Sequence, residues 1–513
     1  MKLLKTIIII LLSLVILTSL VIWVITKNIN PQIIKELVNQ EITRLTHKNS
    51  RIDGVISWQL FPRPGLKFSK IQIGDDDLGE HYTLSVDTLV LNLKVTPLLR
   101  GHFIFSDINL DGLKMQINLD IPSPTHLIDI PAQKKTIENI SNNQFAIERL
   151  VLNHGQITIQ TKWQTTVLKN IQIGMEQFNL QNTPFPLQIK AKLGSAAPGP
   201  IIKATLNFQG RFSLSPTMMN ELFQGILTPT AEGQLVVQDV LFNRLSIKKI
   251  NATLKSDRND ITLNPIALCL YNGESVGDIN FSHATQQVSI NQTATNLDGK
   301  QLTTALLGHD AISGNLDYSL HASFPLNQLK IINSSGTGSV TVKEGELLHI
   351  NLAEIIKDLQ QKLNSIVNEK SIDLKNNFQM ADWNKSKYSQ GNTAFKLASI
   401  QYQLHHGSID TDSLIIQTNL LQIKGKAHLN LSNHELDSKI KAIMNNNNTD
   451  SAMQKIQDLL GGGFPLLISG TLEQPIIIPD FKAISYLLSQ LLIKSALAKP
   501  VKQIKEDIKE LFH

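Results

Sequence analysis

Few residues in this sequence combine the types and spacing that catalysis or metal binding requires. The carboxylates of Asp75, Asp76 and Asp77 form a run that could bind a hard cation, because such cations prefer oxygen ligands. The run follows Gly74 and precedes Leu78-Gly79, however, and this setting is more typical of a solvated turn. We therefore expect no metal site there.

The adjacent histidines His405 and His406 are the next candidates for metal ligands. Successive side chains on a strand point to opposite faces, so the two rings could not converge on one ion. Gly407 follows them, and the three residues predict a hairpin turn. Cys269 is the single cysteine and lies in an apolar run, which favours a buried thiol over a reactive one. A single cysteine also excludes cysteine-based zinc clusters.

The motifs that identify common enzymes are missing from the sequence. It contains no H-E-x-x-H, no G-x-S-x-G, no Walker A loop and no EF-hand loop, and Gly336-Thr337-Gly338 lacks the third glycine of a dinucleotide fingerprint. The formal net charge of +5 is small and spread along the chain, which argues against a nucleic-acid partner. We expect a protein that is not an enzyme, with no cofactor and no catalytic, metal-binding or cofactor-binding residues.

The first residues predict a membrane anchor. Lys2 and Lys5 precede an uncharged apolar run at residues 6–25, which is about 30 Å long as a helix and long enough to cross a bilayer core. A cleavable signal peptide is the alternative, but no small-x-small site follows the run. We predict a cytoplasmic N-terminus at residues 1–5, a transmembrane helix at 6–26, and the remainder of the chain on the far side of the membrane.

From Val55 onward, apolar residues recur with a period of two, which predicts strands with one apolar face. The segments Phe185–Leu193, Ala204–Leu214 and Leu316–Phe324 are examples. Turn signals such as Asp298-Gly299 separate the strands. Such an apolar face must be covered, and a second sheet, a closed barrel or an open groove filled by lipid would each do so.

Helical spacing interrupts the strands in a few places. Ile33, Ile34, Leu37 and their neighbours predict a helix at residues 27–50, and Asn351–Val367 predicts another. A short helix at Ser451–Leu460 is expected to stop at three glycines, and amphipathic helices are expected at 481–513.

Three stretches resemble the AsmA family. The first is V-I-S-W-Q-L-F-P-R-P-G-L at residues 55–66, where an aromatic residue and a proline close the first hairpin. The second is the strand, glycine turn and helix at 336–359. The third comprises residues 393–431 and the segment P-L-L-I-S-G-T-L-E-Q-P at 465–475, followed by Pro479-Asp480. The residues that carry the resemblance are Trp58, Phe61, Pro62, Gly65, Gly345, Gly407, Gly425, Gly470, Pro475 and Asp480.

The resemblance implies an inner-membrane protein of diderm bacteria with most of its chain in the periplasm. The implied fold is mainly β, with a long twisted antiparallel sheet rolled into an open groove of the repeating β-groove lipid-transfer kind. The implied function is phospholipid transport and outer-membrane homeostasis, with phospholipid, the inner membrane, and the outer membrane or an envelope protein as partners. An envelope factor that aids outer-membrane protein assembly by binding proteins is the alternative, and a closed, dry β core is a third interpretation.

The predicted division of the chain follows the resemblance. Residues 51–345 are expected to form the N-terminal part of the groove, 346–480 an AsmA-like region with helical insertions, and 481–513 the C-terminal helices. Apolar residues on the inner side of the strands are the candidates for contact with lipid. They are Leu187, Ile189, Leu206, Phe208, Leu316, Leu320, Leu414, Ile416, Ile423, Leu429 and Ile440.

Overall fold

The structure is a computed structural model of the 513-residue chain. It describes residues 35–36, 39, 50–59, 63–74, 82–94, 96, 105–118, 146–179, 181–196, 198–215, 230–325, 333–368, 388–445, 454, 456–458 and 460–498. The predicted transmembrane helix at 6–26 lies outside these residues, as do Asp75, Asp76, Asp77 and residues 499–513. In the part that is described, no helix is both long and apolar enough to cross a membrane.

The described residues are mainly β, as the alternating sequence pattern predicts, and they divide into two compact units. The first unit comprises residues 1–243 and 249–258, and the second comprises 244–248 and 259–513. The sequence-based division at 345 and 480 remains a prediction. The described strands of the first unit are β1 (Ser50–Ile52), β2 (Ser57–Gln59), β3 (Gly65–Ile73), β4 (Tyr82–Leu93), β5 (Phe105–Asn118), β6 (Ala146–Thr161), β7 (Gln164–Asn179), β8 (Phe185–Ala196), β9 (Ile202–Ser213), β10 (Thr230–Phe242) and β11 (Leu245–Ser256). Residues 245–248 at the start of β11 are assigned to the second unit.

In the first unit, consecutive strands from β3 to β10 pair side by side, and β1 and β2 both pair with β3. One pair differs from the antiparallel arrangement that the sequence led us to expect. β5 and β6 are parallel, with Asp107 opposite Arg149 and Asn118 opposite Gln160. A parallel pair needs a crossover connection of a dozen or more residues, and residues 119–145 supply that length.

The second unit is a run of antiparallel strands in chain order, with helices inserted between some of them. Its elements are β12 (Asp260–Leu270), β13 (Gly273–Ser282), β14 (Gln287–Asp298), α1 (Gly299–Leu307), β15 (Ile312–Pro325), β16 (Ser335–Leu347), α2 (Leu352–Asn368), β17 (Thr393–His405), β18 (Ser408–Gln417), β19 (Leu421–Asn430), β20 (Leu436–Met444), β21 (Phe464–Gly470), β22 (Pro475–Pro479) and α3 (Phe481–Ala498).

The helices correct one sequence-based prediction and support others. Asp298-Gly299, which we interpreted as a turn, begins helix α1, because the Asp298 carboxylate accepts a hydrogen bond from the Gln301 backbone N–H at 3.0 Å and caps the helix. The helix predicted at Asn351–Val367 is α2. The predicted turn at His405-His406-Gly407 lies between β17 and β18, and both His406 and Gly407 have positive φ.

Candidate functional site

The first unit has a continuous apolar face made by side chains that lie directly opposite one another on neighbouring strands. Residues paired in this way point to the same side of a sheet. One row crosses eight strands without a polar residue. In order from β3 to β10 it consists of Phe68, Leu89, Leu110, Leu152, Ile173, Ile189, Phe208 and Leu235.

A second row runs beside the first and includes Leu187, which pairs with Met175 and with Gly210. The ring of Phe208 lies over Gly210 and Gly233, so the ring covers the place where both glycines lack side chains. The structure thus places Leu187, Ile189 and Phe208 together on this face. Leu206 joins them opposite Ala191 and Val237. Leu187 and Phe208 are buried, whereas Ile189 and Leu206 are half-buried.

The second unit has an apolar face of the same kind. One row, from β14 to β21, consists of Leu297, Leu316, Val342, Ala398, Ile416, Ile423, Ala442 and Phe464. The next row contains Leu414, Gly425 and Ile440. Leu320 lies on this face opposite Gly338, and Leu429 lies opposite Ile409 and Leu436. The predicted lining residues of this unit therefore share one face.

Helices cover one end of that face. Leu352, Ile355, Ile356, Leu359 and Leu363 of α2 pack against β19, β20 and β21, and Ile456, Leu460 and Ile484 complete the same buried cluster. Ile423 is 0% exposed and Ile440 is 5% exposed within it. Ile423 and Ile440 therefore differ from the expectation for lining residues, because protein side chains cover them.

Hydrogen bonds connect these helices to neighbouring segments of the second unit. The Tyr388 hydroxyl donates to the Asp358 carboxylate of α2 at 2.8 Å, and burial together with this contact raises the pKa of the tyrosine. At the start of α3, the Asp480 carboxylate accepts from the Ala483 N–H at 3.0 Å, while the Asp480 N–H donates to the Pro465 carbonyl. Ile484, one turn into α3, is 0% exposed, so the beginning of this helix is part of the core.

A small polar network interrupts the apolar face of the second unit. The Ser275 side chain is fully buried, and its oxygen accepts from the Gln292 amide at 2.8 Å and contacts the Tyr318 hydroxyl at 3.1 Å. The network was not foreseen, because Ser275 and Gln292 belong to ordinary strand sequences. Burial, with the neighbouring Tyr318, raises the pKa of Tyr402 on the same face. A protonated tyrosine can donate a hydrogen bond there.

The opposite, polar face of the second unit carries a depression of about 880 Å³. Asp410 is one of the residues that line it, and His428 Nδ1 lies 2.7 Å and His405 Nδ1 3.4 Å from its carboxylate. Lys426 and Asp412 form an ion pair in the same depression, at 2.6 Å. Among the described residues, no group of three or more His, Cys, Asp or Glu side chains has an arrangement that could hold a metal ion. Exposed ion pairs of this kind contribute little stability and are typical of a solvated face.

The residues that carried the family resemblance lie at tight points of the fold. A side chain at Gly345 would meet the Ser313 carbonyl at 2.0 Å, and one at Gly425 would meet the Lys439 carbonyl at 2.4 Å. Gly470 has a φ of 91° at the end of β21 and pairs with Pro475 across the turn. Their roles are therefore in packing and turn geometry.

The remaining residues of that set lie near the start of the first unit. Trp58 packs against a buried cluster that includes Ile52 and Phe68, and Gly65 begins β3 opposite Gln59. Phe61 and Pro62 lie outside the described residues.

One comparison with known proteins gives a match, and the matched residues lie in the first unit. The family model described as the AsmA family matches residues 1–235. No curated protein and no solved structure matches the chain. The rows of apolar residues on β3 to β9 and the start of β10 therefore lie within the matched segment.

Proposed function

Because the chain belongs to the AsmA family over residues 1–235, we propose that it takes part in phospholipid transport and outer-membrane homeostasis. In this proposal residues 6–26 anchor the chain in the inner membrane of a diderm bacterium, and the strands lie in the periplasm. The apolar faces of the strands hold lipid acyl chains, and lipid headgroups remain in water. The protein supplies a path and carries out no chemical reaction.

The observation that supports the proposal is the apolar row across eight strands of the first unit. Several of its members, including Leu89, Leu110 and Ile173, are only half-buried. Among the residues that the structure describes, the buried clusters on this face consist of strand residues and Leu214, which directly follows β9. Helices contribute to the corresponding cluster of the second unit. Transfer of hydrocarbon onto such a face gains about 0.8 kcal/mol per buried methylene.

The proposed lining is narrower than the set predicted from sequence. Ile189, Leu206, Leu320 and Leu429 are half-buried and retain surface that an acyl chain could cover. Leu414 and Ile416 are also half-buried, but they pack against the cluster that contains the helix residues. Ile423 and Ile440 contact helix residues instead. We therefore assign lipid contact to Ile189, Leu206, Leu320 and Leu429, and a core role to Ile423 and Ile440.

Site-specific photocrosslinking in living cells tests the proposal. A photoreactive amino acid at Leu206 should capture phospholipid, which mass spectrometry of the purified adduct would identify. The matched control is Asn207, the next residue of β9, which is exposed on the other face. A second control at Ile423, which is fully buried among protein side chains, should also give no lipid.

Equal lipid capture at Leu206 and Asn207 would contradict the assignment of lipid to one face. Capture of a β-barrel protein at Leu206, with no lipid, would instead support the alternative of an envelope assembly factor.

A further inference from the structure

Large apolar side chains are exposed where the hairpins of the first unit connect its strands, at one end of those strands. Trp163 lies in the turn between β6 and β7 and is 78% exposed. Ile201, directly before β9, is 46% exposed, and Phe242, the last residue of β10, is 47% exposed. Because β6 to β10 alternate in direction, the β6–β7 and β8–β9 connections and the end of β10 all lie at the same end of the strands. We call these three residues the hairpin edge.

Hydrogen bonds join the connections into one surface. The Gln164 side-chain amide donates to the Pro200 carbonyl at 3.0 Å, which ties the first connection to the second. The Ile201 N–H donates to the Asn243 side chain at 3.0 Å, and the Asn243 N–H donates to the Ile201 carbonyl at 2.8 Å. The Gln164 N–H also donates to the Thr161 hydroxyl at 3.0 Å, which closes the turn that carries Trp163. The apolar side chains are thus held on an ordered framework.

The strand ends beside the hairpin edge carry an excess of positive charge. Residues 156–171, 190–207 and 236–243 contain one acidic residue, Asp239, against five lysines. These are Lys162, Lys169, Lys190, Lys192 and Lys203. All five side chains are exposed, and none forms a salt bridge within the described part of the chain. At the other ends of the same strands, Glu148, Glu176 and Glu232 balance Arg149 and Arg211.

The pairing of the strands brings several of these lysines onto one face. Lys169 lies directly opposite Lys192, and Lys190 lies opposite Gln172 on the same side of the sheet. Lys203 lies opposite Gly194, also on that side, two residues after Ile201. In the sequence the lysines are separated by many neutral residues, so the patch forms only when the strands pair. This face is opposite to the apolar face described above.

We infer that the hairpin edge and its adjoining lysines dock on the surface of an anionic phospholipid bilayer. Tryptophan and phenylalanine side chains favour the boundary between headgroups and acyl chains, and lysines beside them attract anionic headgroups. The combination of an exposed aromatic edge with excess positive charge matches such a surface in both polarity and charge. This contact differs from the proposed lipid path, because it uses the strand ends and the polar face.

Vesicle binding by the full chain, held in nanodiscs of phosphatidylcholine, tests the inference. The protein should co-sediment with vesicles of equal parts phosphatidylglycerol and phosphatidylcholine, and binding to vesicles of phosphatidylcholine alone should be weaker. High salt should weaken the first interaction, because it screens exposed charges. Lys203→Gln should weaken binding about fivefold, the value expected for one lysine near an anionic surface. The matched control is Arg211→Gln, which removes an exposed positive charge from the same face of β9 at its other end and should leave binding unchanged.

The apolar contribution is tested by the double substitution Trp163→Ser and Phe242→Ser, which should weaken binding at least about tenfold. The control is Val276→Ser, which replaces a 51% exposed apolar residue of β13 and should leave vesicle binding unchanged. Brominated lipid should also quench tryptophan fluorescence in the parent protein and quench it less in Trp163→Phe. Unchanged thermal unfolding would show that each variant is folded.

Several results would overturn the inference. These are equal binding to neutral and anionic vesicles, equal losses in Lys203→Gln and Arg211→Gln, or full binding by the double serine variant. The absence of binding to both kinds of vesicle would overturn it as well. Crosslinking at Trp163 that captures a protein, without vesicle binding, would point to a protein partner instead. The outcome is independent of whether the apolar face carries lipid.

Discussion

Substitution of Leu359 by alanine should destabilise the second unit strongly, because this residue of α2 lies at the centre of the contact between helices and strands. Leu359 is 0% exposed and belongs to the cluster formed with β19, β20 and β21. Removing a buried leucine side chain costs the lost transfer free energy and leaves a cavity. The surrounding strands are fixed by their ladder hydrogen bonds and cannot close the cavity fully. We therefore expect a loss of about 3 to 4 kcal/mol in the free energy of unfolding.

The matched control is Leu306→Ala on helix α1, since both substitutions replace a helical leucine with alanine. Leu306 is 59% exposed, so its loss should change stability by no more than about 0.5 kcal/mol. Urea denaturation, followed by hydrogen exchange of peptides from β19 to β21, measures the difference. With a slope of about 3 kcal/mol per molar urea, Leu359→Ala should lower the midpoint by about 1 M.

Equal midpoints for the two variants would refute the assignment of α2 to the core. A large shift for both would show instead that exposed helix positions matter as much as the buried cluster. The same experiment in the presence of phospholipid also bears on the proposed function. If lipid displaces α2 from the sheet, then lipid should lower the protection of β19 to β21 in the parent protein.

Two further predictions concern residues of the second unit, and the control for one of them is a glycine of the first unit. Gly345→Ala should cost about 1 to 3 kcal/mol in the free energy of unfolding, because its new Cβ would lie 2.0 Å from the Ser313 carbonyl oxygen. The control Gly194→Ala should be near neutral, because no atom lies within 4 Å of the new Cβ. Urea midpoints compare the two variants, and equal midpoints would contradict the close-packing argument. The backbone N–H of Asn296 and the Lys343 ammonium hold the pKa of Asp317 below its usual value. This group therefore stabilises the fold above about pH 4, and the contribution is lost as the pH falls through the lowered pKa, so Asp317→Asn should lose less stability than the parent between pH 7 and acid. Identical pH profiles of unfolding for the two proteins would show that the carboxylate contributes nothing.

Local patterns in the sequence predicted the strands and the faces of their residues. In β8, the alternation that begins at Phe185 places Phe185, Leu187 and Ala191 in the interior. The period of two is a property of each strand by itself, so it can be interpreted without knowledge of the neighbours. Turns with a strong local signal, such as His406-Gly407, were predicted for the same reason.

Features that depend on distant contacts were not predictable in this way. Alternation shows that Ile423 and Ile440 lie on an apolar face, but it does not show whether lipid or protein covers that face. The amphipathic pattern of α2 predicted the helix but not the strands that it contacts. Asp298-Gly299 was misinterpreted because aspartate favours both turns and helix N-termini. The lysines beside Ile201 gather only through strand pairing.

The parallel pairing of β5 with β6 also affects how the first unit assembles. Most neighbouring strands in this unit form antiparallel pairs with a short connection, so their contacts are close in sequence. The hydrogen bonds between β5 and β6 instead join residues as far apart as Asp107 and Arg149. Closing the long connection at 119–145 carries a larger loss of chain entropy than closing a hairpin. The strands before and after this seam can therefore form locally as two separate meanders, and the continuous apolar row across the unit exists only after the two have joined.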